Sequence, residues 1–238
     1  MRFFVVLIYK KINPIRIVSF DLDDTLYNNH PIIKTAIQAQ LNYLNELTLW
    51  QQQPANFWSH CRDTVASQHP EIIDDVTAWR QHTLRFALQK IGYSAQDVEH
   101  HATQAYQAFA EARSQIIVNE PVLSLLNRLK QQYKVIAITN GNVDVERFNL
   151  KGIFDLVLMA GRDGKAKPHA DLFNQAAQHF NASLNSILHV GDSLDTDVQG
   201  ANNAGCMSVW LDNQTINYQY KGLAHITITD VLALEMIL

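Results

Sequence analysis

Apolar positions change their period twice along this chain. From Ile15 to Phe20 they run almost unbroken and stop at Asp21, the pattern of a strand buried on both faces. From about Pro31 to Arg113 the spacing turns helical: Ile33, Ile37, Leu41 and Leu44 share one face, as do Val98, Ala102, Tyr106 and Phe109. Ser94 is placed to cap the second of these helices, and Pro54 and Gly92 punctuate the block. Strand and helix then alternate. A helix near Pro121 to Gln132 leads into "KVIAITNG", followed by "FDLVLMA", a helix from about His169 to Phe180, "SILHVGD", a helix from about Thr196 to Ala204, and "CMSVW". Short apolar strands alternating with helices predict a parallel sheet covered on both faces. The expected fold is therefore a doubly wound α/β core, residues 1–28 and 114–238, with an all-helical insert, residues 29–113, after its first strand. No internal repeat interrupts this reading.

The N-terminal "MRFFVVLIYKK" is the one ambiguous stretch. Its apolar run from Phe3 to Tyr9 is too short to span a bilayer, and basic residues stand where a small-residue cleavage site belongs. It reads as an extra strand or arm at the sheet edge. Composition adds that 47% of the 238 residues are hydrophobic, enough for a sizeable core. The net charge is −4 with basic residues scattered, so neither a nucleic-acid nor a membrane footprint is expected. Cys61 and Cys206 stand apart and in no CxxC pattern, which argues against a disulfide framework or zinc and for the reducing cytoplasm. The sequons at Asn181-Ala182-Ser183 and Asn213-Gln214-Thr215 read as chance matches.

Ligands of open α/β sheets bind beyond the carboxyl ends of the strands. The first strand delivers Asp21, Asp23 and Thr25 there, and the second delivers Thr139 and Asn140. The third leads to Lys165 and Lys167 in "GRDGKAKP", and the fourth ends in "GDSLDTD" with Asp192 and Asp197. Each piece alone has a bland reading: a D-x-D-x-T turn, an Asn-Gly turn, a solvated Lys, a helix cap. Four strand ends converging on carboxylates, a hydroxyl and an ammonium fit phosphoryl transfer. An Asp can attack phosphorus, a second carboxyl can serve as acid and base, and Mg²⁺ favours one or two carboxylates with substrate phosphate. A Thr hydroxyl and a Lys would absorb phosphoryl charge. "GRDGKAKP" is not a phosphate-binding P-loop, because two residues separate its glycines and Ala166 follows Lys165.

In this order "DLDDT", "ITN", the Lys of "KAKP" and "GDSLDTD" resemble the four motifs of the haloacid dehalogenase (HAD) superfamily, whose Rossmann-like core carries an all-helical cap after strand one. The resemblance implies an Mg²⁺-dependent phosphatase of small phosphate monoesters that works through an aspartyl-phosphate. It makes Asp21 nucleophile and metal ligand, and Asp23 acid/base and metal ligand through its carbonyl. Thr139 and Asn140 bind the phosphoryl group, and Lys167, in preference to Lys165, neutralises nucleophile and phosphate. Asp192 becomes a metal ligand and Asp197 one that can act through water; Asp24 receives no chemical role. A dehalogenase is disfavoured because Asp23 supplies an acid that a leaving halide does not need. A two-component receiver is disfavoured because its acidic pair and its phosphorylated Asp come in another order.

"FDLDDTLYNN", "DVTAWR", "ITNGN" and "LHVGDSLDTDVQGA" further resemble the YigB-type branch, tied to 5-amino-6-(5-phospho-D-ribitylamino)uracil and flavin mononucleotide (FMN). Sugar phosphates and nucleoside monophosphates stay open as alternatives, and so does a non-catalytic binding module. Trp79 and Arg80 could stack on a ring and meet an anion, or be helical core and surface respectively. The histidines, His100 and His101 included, sit at no metal-ligand spacing and are expected at the surface or partly buried. The sequence leaves the oligomeric state open.

Overall fold

The β-branched run behind Arg16 does become the middle of a sheet. The computed structural model describes residues 5–212 and 223–238, so the Asn213 sequon and the first residues of the N-terminal run lie outside the described part. Seven strands form one sheet among the described residues: β1 (Val6–Ile8), β2 (Ile17–Phe20), β3 (Lys134–Thr139), β4 (Leu156–Met159), β5 (Ile187–Gly191), β6 (Met207–Leu211) and β7 (Ile226–Ile228). Their order is β1-β7-β6-β5-β2-β3-β4. All neighbours are parallel except β1, which runs antiparallel to β7 at the edge, where an added arm was expected. All residues of β2 and β5 are buried, which explains why both read as continuous apolar runs.

Topology decides where a ligand can sit. From β2 the chain builds outward through β3 and β4, then returns to place β5 on the other side of β2. The strand order therefore reverses between β2 and β5, and the crevice beyond their carboxyl ends is the switch point of a doubly wound sheet. Helix α6 (Glu120–Leu129) packs Val122, Leu125, Leu126 and Leu129 inward. Helix α7 (Asp171–His179) and the short α8 (Gln199–Ala204) contribute Leu172, Phe173, Ala176 and Ala201 to a core with Ile17, Ile136 and Ile187. The helix expected from Thr196 opens earlier, as a wide π-type turn over Leu194–Val198, before α8.

The chain between β2 and α6 is helical. One compact unit comprises Asn29–Ile116 with Asn142–Asp144; the other holds the residues up to Asn28, Ile117–Gly141 and those from Val145 onward. The helical unit contains α1 (His30–Asn45), α2 (Thr48–Gln51), α3 (Phe57–Gln68), α4 (Val76–Lys90) and α5 (Ala95–Arg113). Its core gathers Leu44, Trp50, Phe57, Cys61, Leu84, Leu88, Val98 and Ala102. On α1 the innermost stripe is Ala36, Gln40 and Leu44, with Ile33, Ile37 and Leu41 flanking it half-buried. Ser94 caps α5 by accepting the Asp97 N–H at 3.2 Å, as its position predicted. Among the described residues no helix is long and apolar enough to cross a membrane.

Candidate active site

Beyond Phe20 the chain leaves the sheet in a tight turn. Asp21 still donates its N–H to the Val190 carbonyl at 2.8 Å, Leu22 dives into the core, and Thr25 and Leu26 bond back to the Leu22 carbonyl. Asp24 takes a left-handed φ of +58°, which Asp tolerates better than most residues, and this closes the turn. Consecutive acidic residues thereby face different ways. Asp21 is buried, while Asp23 accepts a 2.6 Å hydrogen bond from the Tyr27 hydroxyl, whose ring meets Phe148 edge-on. A Cβ on Gly141 would stand 2.8 Å from the Asp23 carboxylate, so this glycine makes room for it.

Lys167 ties three strand ends together. Its Nζ lies 2.8 Å from Asp21 Oδ1, 2.6 Å from Asp197 Oδ1 and 2.6 Å from the Ile138 carbonyl, which uses all three ammonium protons. The Asn140 side chain pins the backbone of the same lysine: its amide donates to the Lys167 carbonyl at 2.9 Å and accepts the Lys167 N–H at 2.8 Å. Asn140 thus has a structural task that sequence reading missed. Thr139 is buried and its Oγ1 accepts the Gly141 N–H at 2.9 Å. Lys165 is exposed, so geometry chooses Lys167 of the two lysines.

Behind β5, Asp192 is half-buried: Thr25 Oγ1 donates to its carboxylate at 3.4 Å, and Trp210 donates to its carbonyl at 2.9 Å. Asp197 is fully buried, and its second oxygen takes the Ser193 N–H at 3.0 Å. It can approach because residue 191 is glycine: a Cβ there would overlap the Asp197 carboxylate. Asp21, Asp192 and Asp197 each offer a carboxylate oxygen, all within 4.8 Å of one another, an all-oxygen donor set that suits a hard divalent cation. The Asp23 side chain is not part of that set.

The charges are unequal in comfort. Burial, followed by Asp197 and Asp23, raises the Asp21 pKa well above the usual range, against the pull of Lys167. Burial likewise, with Asp197 and Asp24, pushes Asp192 up to about 6. At Asp197 burial opposes ionisation, but Lys167 and the His189 N–H outweigh it and hold the carboxyl far below its ordinary value. For Lys167 burial works against the ammonium, yet Asp197 and Asp21 raise its pKa overall. One lysine thus balances two carboxylates and leaves Asp192 without a comparable cation.

His189 corrects the expectation that the histidines lie at the surface or partly buried. It is fully buried in β5, with Nδ1 2.8 Å from Ser19 Oγ, Nε2 3.3 Å from Asp197 Oδ1, and Phe173 edge-on at 5.0 Å. Burial, and then Lys167, push its pKa down to about 4. The available signal was a lone His inside the apolar run "ILHVG", where both faces of a central strand are covered.

In the helical unit, Arg80 lies half-buried, its guanidinium 3.8 Å from the Phe109 ring centre and 3.0 Å from Gln40 Oε1. It is not the surface residue of the bland reading. Burial and then Arg62 push its pKa down to about 10. Trp79 is half-buried, donates its indole N–H to the Arg62 carbonyl at 3.3 Å, and carries the Arg62 guanidinium over its ring.

Comparison with known proteins bears on this geometry. Residues 15–205 match the model of the haloacid dehalogenase-like hydrolases. The chain is 37% identical to the 5-amino-6-(5-phospho-D-ribitylamino)uracil phosphatase YigB of Escherichia coli, over 85% of this chain and 86% of that protein. It is 34% identical to the E. coli pyrimidine 5'-nucleotidase YjjG, over 56% of this chain and 62% of that one. A solved 2-haloacid dehalogenase from Pseudomonas syringae pv. tomato superposes with a TM-score of 0.87 at 28% identity, covering 94% and 97% of the two chains. With a family match spanning most of its length and phosphatases among its relatives, the chain belongs to the haloacid dehalogenase-like hydrolases and is an enzyme of that family.

Proposed function

We propose that this hydrolase is a Mg²⁺-dependent phosphatase that cleaves a small phosphate monoester through an aspartyl-phosphate on Asp21. The observation that carries the reading is the Lys167 ammonium clamped between Asp21 and Asp197, with Asp23 accepting a hydrogen bond from Tyr27. One carboxylate is thereby positioned for attack and a second kept for proton transfer. A dehalogenase needs only the first.

An Asp21 oxygen attacks phosphorus and the bond to the leaving oxygen breaks, while Asp23 gives that oxygen a proton. Asp23 then takes a proton from water, whose oxygen attacks phosphorus and frees phosphate and Asp21. Lys167 and Thr139, with the backbone N–H of Asn140, hold the phosphoryl oxygens. Asp21, Asp192 and the Asp23 carbonyl would hold Mg²⁺, with Asp197 acting through water because its own oxygens are engaged by Lys167, His189 and Ser193. The ion would supply positive charge that keeps Asp21 ionised and screens the phosphate. Trp79 and Arg80 are assigned to substrate recognition in the helical cap, residues 29–113.

The preferred substrate is 5-amino-6-(5-phospho-D-ribitylamino)uracil or FMN, supported by the 37% identity to a phosphatase of the former. A nucleoside monophosphate is the second reading, favoured by similarity to the pyrimidine 5'-nucleotidase. Two buried free cysteines support a reducing, cytoplasmic setting. The test is phosphate release from ribitylaminouracil phosphate, FMN, sugar phosphates and nucleoside monophosphates, with Mg²⁺, with chelator and with Asp21→Asn. The expected result is release concentrated on the flavin-type substrates and abolished by chelator and substitution. Release concentrated on nucleotides would replace the substrate, and silence across the panel would end the phosphatase reading.

A further inference from the structure

The chemistry proposed for the strand ends leaves the buried His189 unused. His189 sits opposite Ser19 in the β2–β5 register, and Ser19, His189 and Asp197 are all inaccessible to solvent or nearly so. A polar triad behind two fully buried central strands is costly unless every donor and acceptor is matched. An apolar residue at 189 would fill the space beside Phe173 without that demand.

The bonding pattern fixes the state of the ring. Asp197 receives the Lys167 ammonium at 2.6 Å and the Ser193 N–H at 3.0 Å, so it is a carboxylate that only accepts. The imidazole nitrogen facing it, Nε2, must therefore carry a proton. In the neutral ring Nδ1 is then the acceptor, and the Ser19 hydroxyl, 2.8 Å away, is placed to donate to it. The relay runs from the Ser19 O–H to His189 and from the His189 Nε2–H to Asp197. There it meets Lys167, which donates to Asp197 and to Asp21 in turn. A neutral ring orients Asp197 while leaving its charge for the lysine.

We propose that His189 is a positioning residue: bridged to Ser19 and donating from Nε2, it fixes the rotamer of the Asp197 carboxylate and, through it, the seat of Lys167 against Asp21. This deepens the phosphatase reading and rests on it for its kinetic consequence. Partners that orient a site residue from behind are worth about 10–100-fold in activity. His189→Leu removes the donor, His189→Gln can restore it through a side-chain amide, and Ser19→Ala removes what selects the tautomer.

Two readouts on the full chain decide the matter. Nitrogen-15 NMR of the imidazoles at neutral pH is expected to find His189 neutral and protonated on Nε2, with Ser19→Ala shifting the tautomer balance. Hydrolysis of an aryl phosphate with Mg²⁺ is expected to lose about 10–100-fold in kcat in His189→Leu with little change in KM, and His189→Gln is expected to recover most of it. A ring protonated on Nδ1 would overturn the proposal. So would a folded His189→Leu with wild-type kcat, or a His189→Gln no better than His189→Leu. Should His189→Leu not fold, His189→Gln and Ser19→Ala carry the kinetic comparison. The NMR readout does not depend on turnover, so a chain that hydrolyses no phosphate removes the phosphatase reading while His189 is still judged by its tautomer.

Discussion

Lys167 occupies an unusual position for a lysine: its ammonium is about 1% exposed and touches two carboxylates and one carbonyl. Removing one partner of a buried ionic group leaves the other uncompensated, at a cost of about 3–5 kcal/mol. Lys167→Met is expected to lower unfolding free energy by about that amount in denaturant titrations, and to abolish turnover in whatever fraction stays folded. Lys165→Met, at an exposed position two residues earlier, is expected to change stability by less than about 0.5 kcal/mol and to leave activity in place. The reverse pattern would move the role to Lys165. Sequence alone located these charges because each follows an apolar run that ends a strand. It could not find Tyr27 on Asp23 or His189 on Ser19. A tyrosine four residues on carries no signature, and the Ser19–His189 pair is 170 residues apart in the chain. Gly141 and Gly191 were equally silent, since a glycine that admits a neighbouring carboxylate looks like any turn glycine.

At the scale of elements, the helices were legible where cap and stripe agree. Ser94 announced α5, and Val98, Ala102 and Phe109 are indeed buried on it. Helix α4 was less visible because its buried residues Thr83, Leu84, Ala87 and Leu88 crowd its second half. Its start is fixed by Asp75, which accepts the N–H groups of Thr77 at 3.0 Å and Ala78 at 2.8 Å. Asp75→Ala is expected to cost about 1 kcal/mol, read as a fall in Tm, without loss of activity. A decrease well beyond that would mean Asp75 does more than cap. Strand β7 escaped the sequence reading because it has only three residues. The helix expected from about Thr196 opens instead at Leu194 as a wider turn, in which Asp197 is pressed against Gly191.

For the whole molecule, the folded chain concentrates carboxylates that the unfolded chain would disperse, and this sets a pH dependence. Asp192 rises to about 6 from an ordinary 3.8, and Asp21 moves the same way, so the native state binds protons more tightly than the unfolded one between those values. Without metal, these two carboxylates favour folding as pH falls through 6 toward 4, whereas His189, held neutral down to about 4, opposes them over the same range. On the proposed reading Mg²⁺ competes with those protons, so its affinity is expected to weaken as pH falls, by about tenfold per unit below 6 where Asp192 takes up its proton. Binding titrations across this range, with parallel melts of chelated wild type and Asp192→Asn to isolate the carboxylate, check both signs; an affinity independent of pH would detach Asp192 from the proposed metal site. At this scale the interrupted α/β core was readable from the order of apolar runs, and the family from four short motifs. The packing of Trp79 and Arg80, the residues proposed to meet the leaving group, was not, because their neighbours Arg62, Phe109 and Gln40 come from three other helices.

The central claim is that Asp21 itself carries the phosphoryl group. We would quench the enzyme during turnover of an aryl phosphate with Mg²⁺, reduce acyl phosphates with borohydride, and map the modified residue by peptide mass spectrometry. The account predicts a homoserine-type residue at position 21 in the wild type and none without substrate or in Asp21→Asn. Steady phosphate release with position 21 always unmodified, or with the mark on Asp23 or Asp192, would contradict it.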